Sequence, residues 1–112
     1  MKRLRVKCWI DDDGEKFFGP GPNELLKKIH EHGSLSKAAS QMKMSYKKAW
    51  DIVQKLNQNP NKPMVLLKKG GAHGGGAEVT EYGLAIIKGY DHLEQQISTL
   101  VEKQHELLEV LK

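Results

Sequence analysis

Cysteine is almost absent from this 112-residue sequence, in which Cys8 is the only one. A single cysteine excludes an internal disulfide and a cysteine-based zinc cluster, and it agrees with a reducing compartment. No apolar run approaches the roughly 20 residues that span a bilayer. The basic N-terminus is followed by Asp11, Asp12 and Asp13 instead of the apolar core of a signal peptide. The sequence therefore predicts a soluble cytoplasmic protein without a membrane partner.

The length and composition limit the number of domains. A chain of this length holds one compact core and an appendage but is too short for two ordinary domains. Hydrophobic residues make up 38% and charged residues 29% of the sequence, which is typical of a globular protein and not of a disordered chain. We therefore expect a single hydrophobic core.

Positive charge is unevenly distributed along the chain. Residues 1–79 hold fifteen Lys and Arg against eight Asp and Glu, a balance of +7, whereas residues 80–112 hold three against six, a balance of −3. The excess concentrates between Ser34 and Lys69, where the only acid is Asp51. Such a cluster suits a polyanion such as DNA, and a merely solvated lysine-rich surface is the alternative. Its lysines are Lys37, Lys43, Lys47, Lys48, Lys55, Lys62, Lys68 and Lys69.

The N-terminal residues predict a β-hairpin. Apolar and polar positions alternate from Leu4 to Ile10, which is the period of a half-buried strand. Asp12-Asp13-Gly14 follows as a turn, and Lys16-Phe17-Phe18 can pair back as a second strand. The acidic cluster raises the alternative of a calcium loop, but the first ligand position would fall on Trp9, so we reject calcium.

Two helices are predicted before the lysine-rich region. Pro22 fits the first turn of a helix that ends near Gly33. Ser34 or Ser36 then caps a short second helix that runs to about Gln41. Its two alanines are small enough for another helix to pack closely.

A third helix begins after the cap residue Ser45 and ends near Asn59, which precedes a proline. On a helical wheel one arc is apolar, and we assign it to the core; its members are Tyr46, Ala49, Trp50, Ile52, Val53 and Leu56. The opposite arc carries side chains that can hydrogen-bond bases or phosphates, namely Lys47, Lys48, Asp51, Gln54, Lys55 and Gln58. Two short helices joined by a tight turn indicate a helix–turn–helix.

A glycine-rich hairpin follows the third helix. Val65–Lys69 and Ala77–Val79 have the composition of two strands, and Gly70–Gly76 forms the tip between them. This pattern predicts the wing of a winged helix, in which backbone N–H groups and the lysines Lys68 and Lys69 approach phosphates. A nucleotide-binding P-loop is the alternative, but it requires Gly-Lys-Ser/Thr before a helix, and that sequence is missing here.

The last third of the sequence contains no proline, and Thr80 is a plausible helix cap. Apolar residues recur there at alternating steps of four and three, which predicts one long helix over residues 80–112 and a coiled-coil homodimer. Gln104 is the polar member of this seam and would fix its register. The predicted dimerisation contacts are Ile86, Tyr90, Leu93, Ile97, Leu100, Gln104, Leu107 and Leu111. We therefore divide the chain into a DNA-binding domain, residues 1–79, and a dimerisation helix, residues 80–112.

Four segments occur in an order that resembles a known family. They are Gly33–Ala39, Ser45–Asp51, Gly70–Gly76 and Thr80–Gly83. Together they resemble the N-terminal domain of the ModE family of molybdate-responsive transcription regulators. The resemblance implies a LysR-like winged helix of mainly helical α+β class, whose third helix enters the major groove of an operator and whose long final helix forms the dimer.

The predicted function is that of a sequence-specific regulator that binds double-stranded DNA as a homodimer. Family members that sense molybdate carry C-terminal oxyanion-binding domains, and this sequence ends at Lys112, so we expect neither a cofactor nor a molybdate sensor within it. Constitutive regulation, a separate sensor protein and drift to other targets all remain open. The predicted DNA contacts are Ser34, Ser36, Lys37, Ser45, Tyr46, Lys47, Lys48, Asp51, Gln54, Lys55, Lys68, Lys69, Gly71, His73, Gly74 and Gly75.

Two other classes of function were weighed. An enzyme or a metal site needs a constellation of side chains, but the five histidines are scattered without ligand spacing or paired acids. A winged-helix adaptor that binds proteins and dimerises through its last helix is the stronger alternative. We expect an adaptor to expose an apolar patch on the third helix, where this sequence places lysine and amide side chains.

Overall fold

The computed structural model describes residues 1–68 and 75–112. In these residues two antiparallel hairpins accompany five helices, which is the mainly helical α+β winged helix predicted from the sequence. No helix within the described ranges is long and apolar enough to cross a membrane. The strands are β1 (Ile10–Asp12), β2 (Glu15–Phe18), β3 (Val65–Leu67) and β4 (Ala77–Val79). The helices are α1 (Pro20–His32), α2 (Leu35–Gln41), α3 (Tyr46–Leu56), α4 (Glu81–Glu102) and α5 (His105–Val110).

Side-chain caps start three of the helices. Ser34 Oγ accepts a hydrogen bond from the backbone N–H of Lys37 at 3.2 Å, so that Ser34 and not Ser36 caps α2. Ser45 and Thr80 accept equivalent bonds of 3.0 Å at the starts of α3 and α4, as the sequence predicts. Because each cap uses groups within three residues of one another, the pattern could be recognised without knowledge of the tertiary structure.

The ends of α1 and α3 differ slightly from the prediction. Helix α1 begins at Pro20, two residues before Pro22, and ends at His32, after which Gly33 caps it with a φ of 65°. This left-handed conformation favours glycine and closes the helix through a bond to the carbonyl of Ile29. Helix α3 ends at Leu56, before the predicted Asn59. These shifts leave the order of elements unchanged.

The core lies where α1, α2, α3 and the two hairpins meet. Phe18 at the end of β2 is 1% exposed and packs edge-on against Tyr90 of α4, with ring centroids 5.2 Å apart. The Tyr90 hydroxyl donates a hydrogen bond to the backbone carbonyl of Cys8. Tyr90, predicted as a dimerisation contact, is therefore a core residue of its own subunit. The largest fully buried side chains are Phe18, Leu25, Leu26, Ile29, Val53 and Val65.

The N-terminal segment does not form the strand that its alternating pattern predicted. Only Ile10–Asp12 forms a strand, and residues 1–9 have no regular secondary structure. They lie instead beside α4, where Val6 and Cys8 share a groove with Ile97 and Val101. The alternation was misleading because a strand needs a partner, and β2 is only four residues long.

The C-terminal helix is interrupted, which corrects the prediction of one continuous helix from 80 to 112. Helix α4 ends at Glu102, and α5 begins at His105. Gln104 lies between them with φ −90° and ψ 44°, outside the helical region, and its side-chain amide donates to the carbonyl of Leu100 at 3.0 Å. Gln104 therefore supplies a second donor to the Leu100 carbonyl, which also accepts from the backbone N–H of Lys103 at 3.2 Å, and both bonds lie within one subunit.

Asp91 fixes α4 to α1. Its carboxylate accepts a 2.8 Å hydrogen bond from the buried amide of Asn23 and pairs with Lys27 at 2.8 Å. The hydrogen bond to Asp91 raises the pKa of Lys27 above its ordinary value, and partial burial of the ammonium opposes this shift. The middle of the long helix is thus held against the core by both polar and apolar contacts.

Candidate nucleic-acid interface

Helices α2 and α3 are joined by a tight turn. Ala38 and Ala39 are buried where the two helices meet, as the small side chains predicted. Lys43 has a φ of 55°, a left-handed conformation that is uncommon for a side-chain-bearing residue and reverses the chain within the turn. The N–H of Met44 then bonds to the carbonyl of Ala39 at 3.0 Å, which fixes the direction of α3 relative to α2.

The outer face of α3 is polar and exposed, and it places four of the predicted contacts together. Lys47, Lys48, Asp51 and Gln54 are all exposed, and 84% of the Lys47 side chain is accessible to solvent. The Lys47 ammonium donates to the Asp51 carboxylate at 3.2 Å, a pair one turn apart that holds both side chains over the same part of the helix. This face offers both donors and acceptors in an array held by a rigid helix.

Lys55 differs from the other lysines of α3. It is half-buried, and its ammonium donates a hydrogen bond of 2.6 Å to the carbonyl of Lys16 in β2. The contact ties the C-terminal end of α3 to the N-terminal hairpin. Two of the three ammonium donors remain for another acceptor, but the position of the charge is set by the hairpin.

Tyr46 and Trp50 lie on the surface, which corrects their assignment to the core. Tyr46 is 54% and Trp50 43% exposed, whereas Ala49, Val53 and Leu56 close the core face of α3. The wheel placed all five residues in one apolar arc, but Tyr46 and Trp50 form one edge of that arc and lie beyond the part that packs against the core. The sequence favours a core role for Trp50 over base stacking, and Trp50 is therefore not among the predicted DNA contacts; its position next to Gln54 on the wheel was the signal for the exposed alternative.

Strands β3 and β4 form the base of the predicted wing. The N–H of Lys68 bonds to the carbonyl of Gly76 at 2.8 Å, and its ammonium lies 3.8 Å from Glu78. The N–H of Ala77 bonds to the carbonyl of Gly33 at 2.9 Å, so the hairpin is attached to the end of α1. Gly75 is exposed. The other predicted wing contacts, Lys69, Gly71, His73 and Gly74, lie outside the described residues.

Asn57 connects the hairpin to α3. Its side-chain oxygen accepts from the backbone N–H groups of Met64 and Val65 at 2.8 and 3.2 Å, and its amide donates to the carbonyl of Val65 at 2.8 Å. The hairpin is thereby held at a fixed position relative to α3.

The remaining predicted contacts of α2 and α3 serve mixed roles. Ser36 and Lys37 are exposed in the first turn of α2, directly after the Ser34 cap. The hydroxyl oxygens of Ser34 and Ser45 accept the capping bonds described above, so these two serines position the helices. Their O–H groups are still free to donate, because a hydroxyl accepts and donates at once.

The predicted dimer seam is partly exposed. Leu93, Leu100, Leu107 and Leu111 present apolar side chains to solvent, whereas Ile86 and Ile97 are half-buried.

Within residues 1–68 and 75–112, no three His, Cys, Asp or Glu side chains are grouped so that they could hold a metal ion.

The fold and this face define a winged-helix domain with a polar, lysine-bearing exposed helix. No family model matches the chain. The chain is 35% identical over 95 residues to the transcriptional regulator ModE of Haemophilus influenzae, which covers 85% of this chain and 37% of the relative. It is 36% identical over 106 residues to the molybdenum transport protein ModE of Azotobacter vinelandii, covering 95% and 39%. It is 42% identical over 79 residues to the DNA-binding transcriptional dual regulator ModE of Escherichia coli, covering 70% and 30%.

The chain is homologous to the N-terminal domain of the ModE family of transcriptional regulators, as the sequence motifs indicated. It spans less than two fifths of the length of the relatives it matches.

Proposed function

We propose that the protein is a ModE-like transcription regulator that binds operator DNA as a homodimer. The observation that carries the proposal is the exposed face of α3, where Lys47, Lys48 and Gln54 project from one rigid helix that begins just after a turn. Helices placed in this way enter the major groove with their first turns against base edges. The relatives from Haemophilus influenzae and Escherichia coli are named as transcriptional regulators, and this supports the same function.

The roles of the residues follow from their positions. Lys47, Lys48, Asp51 and Gln54 are the proposed readers of base edges, since lysine and glutamine supply the donors and acceptors that distinguish base pairs. Lys55, Lys68 and Lys69 are the proposed phosphate contacts, which supply affinity without sequence preference. Lys55 would bind a phosphate from a position set by its bond to Lys16.

Dimerisation would occur through α4 and α5. The leucines at 93, 100, 107 and 111 are exposed in the single chain, and burial of such a row against a second copy is the usual way to stabilise a helix of this length. The interruption at Gln104 divides this surface into two parts. Leu93 and Leu100 on α4 are the proposed centre of the interface, and α5 extends it.

Selection of bound duplexes from a random pool tests the proposed function. The expected result is a two-fold symmetric consensus, with half-sites about one helical turn apart. Lys47→Ala and Lys48→Ala should then lower affinity for the consensus more than for random DNA. Lys68→Ala should weaken both equally and reduce the slope of log affinity against log salt by about one unit. A pool without any enriched sequence, or unchanged site preference in folded Lys47→Ala and Lys48→Ala, would contradict the proposal.

One observation favours the adaptor as a second candidate. Tyr46 and Trp50 expose apolar surface on α3, which is the feature expected of a protein-binding helix. The same selection separates the two functions, because an adaptor would show no preferred DNA sequence. Any binding of DNA by an adaptor would have the same affinity for every sequence and would weaken steeply as the salt concentration rises.

A further inference from the structure

An exposed aromatic pair, Tyr46 and Trp50, flanks the polar face of α3. The two residues are four positions apart, so their side chains are neighbours on the helix surface. Each step along the helix turns it by about 100°. By this rotation Trp50 lies between Tyr46 and the exposed Gln54, and Tyr46 lies next to the buried Val53. The aromatic pair is therefore continuous with the proposed base-reading side chains.

Packing within the subunit does not account for the exposed rings. Ala49 and Val53 are fully buried and Leu56 is 3% exposed, so the core face of α3 is closed without further apolar side chains. About half of each ring faces solvent, although smaller or polar side chains would suit a surface of this kind better. The exposed parts of the rings are thus available to a partner that binds the outer face of α3.

The chemistry of the major groove offers a match for such a surface. Its donors and acceptors are suited to lysine, glutamine and aspartate side chains, and its apolar feature is the C5-methyl group of thymine. The Lys47 ammonium is already engaged with Asp51 at 3.2 Å, so the polar part of this face is held in place beside the rings. A helix that carries both kinds of side chain can recognise a thymine next to a base pair read by hydrogen bonds.

We infer that Trp50, supported by Tyr46, recognises a thymine by packing on its C5-methyl group in the major groove. The inference rests on the proposed function, because it requires α3 to lie in the groove. A protein partner is the less favoured occupant, since Gln54 and Lys47 adjoin the rings on the outer face and charged residues are depleted at the centre of protein interfaces.

Replacement of thymine by deoxyuridine tests the inference, because it removes the methyl group alone. Each thymine of the selected operator is replaced in turn, and affinities are measured for the wild type and for Trp50→Ala. At one or two positions in each half-site, the wild type should lose about three- to fivefold in affinity, the contribution of one buried methyl group. Trp50→Ala should bind the thymine operator more weakly and show no further loss with deoxyuridine at those positions.

Trp9→Phe is the matched control, because Trp9 and Trp50 are the two tryptophans of the chain. Trp9 lies against Gly19 in the N-terminal region and is not a residue of α3. This variant should keep the wild-type response to deoxyuridine, and its fluorescence, which then comes from Trp50 alone, should change when operator is added. Circular dichroism and thermal melting establish that both variants are folded.

The outcomes distinguish this inference from the proposed function. If selection yields an operator but deoxyuridine costs the wild type nothing, or costs Trp50→Ala as much as the wild type, thymine recognition by Trp50 is wrong and the regulator function stands. If selection yields no preferred sequence, both are wrong. If Trp50→Ala leaves operator affinity and methyl dependence unchanged while abolishing a protein contact, the aromatic pair is a protein-binding surface and the inference is overturned.

Discussion

Replacement of Asn57 by alanine would remove three hydrogen bonds that attach the β3–β4 hairpin to α3. The backbone N–H groups of Met64 and Val65 and the carbonyl of Val65 would lose their partner, and both residues are only 2% exposed. Alanine adopts the backbone conformation of this position without strain, since φ is −94° and ψ is 18°. The loss of stability therefore comes from the unpaired groups.

Each unpaired buried group costs about 1 kcal/mol or more, so the free energy of unfolding should fall by roughly 3 kcal/mol. With an m-value of about 1.5 kcal/mol/M in urea, the unfolding midpoint should fall by about 2 M. Asn57→Asp keeps the acceptor oxygens but loses the donor to the Val65 carbonyl, so its effect should be intermediate.

Urea denaturation followed by circular dichroism measures these changes, at one protein concentration so that any association contributes equally. Asn59→Ala is the matched control, because the Asn59 side chain accepts one exposed bond from the N–H of Asn61. It should cost at most about 0.5 kcal/mol. A loss below 1 kcal/mol for Asn57→Ala, or a loss equal to that of Asn59→Ala, would show that the hairpin is held mainly by apolar packing.

Three further predictions concern α4. Gly83→Ala should lower the free energy of unfolding by about 2 kcal/mol, because the added Cβ would lie 2.6 Å from the carbonyl oxygen of Met64. Gly89→Ala should raise it by about 0.5–1 kcal/mol, because its Cβ would have nothing within 4 Å and alanine favours a helix; urea denaturation measures both. Burial raises the pKa of Tyr90 to about 12, whereas the tyrosine of the unfolded chain ionises near the ordinary value of about 10. The free energy of unfolding should therefore fall as pH rises from about 10 to 12, and the fall should be smaller in Tyr90→Phe. Leu93→Asp combined with Leu100→Asp should convert a dimer to a monomer in sedimentation equilibrium, and Thr99→Asp, turned about 100° from Leu100 around α4, should not. A wild-type monomer at tens of micromolar would contradict the proposed dimer.

The sequence predicted those features that depend on neighbouring residues. The caps at Ser34, Ser45 and Thr80 and the turn at Asp12-Asp13-Gly14 each involve residues within a few positions, and all four are present. Glycine at position 33 likewise marked the end of α1, since only a local left-handed conformation is required. The order of elements followed from these signals.

The errors arose where tertiary contacts decide the outcome. A helical wheel gives the direction of Trp50 but not the width of the surface that covers α3, so the side chain was placed in the core. Tyr90 fits a coiled-coil repeat, but Phe18 lies close enough to bury it within the subunit. The interruption near Gln104 contains neither proline nor glycine, so no local signal predicted it.

The path of the N-terminal segment along α4 brings the two ends of the chain together. Met1 and Lys2 share a groove with His105, Leu108 and Lys112. Helix α4 has 22 residues, about 33 Å at 1.5 Å per residue, and separates this meeting point from Gly83, which packs on the base of the β3–β4 hairpin. A tag, label or further polypeptide joined to either terminus would therefore emerge at the same tip of the molecule, and a short linker between the termini could close the chain into a circle without crossing the α3 face.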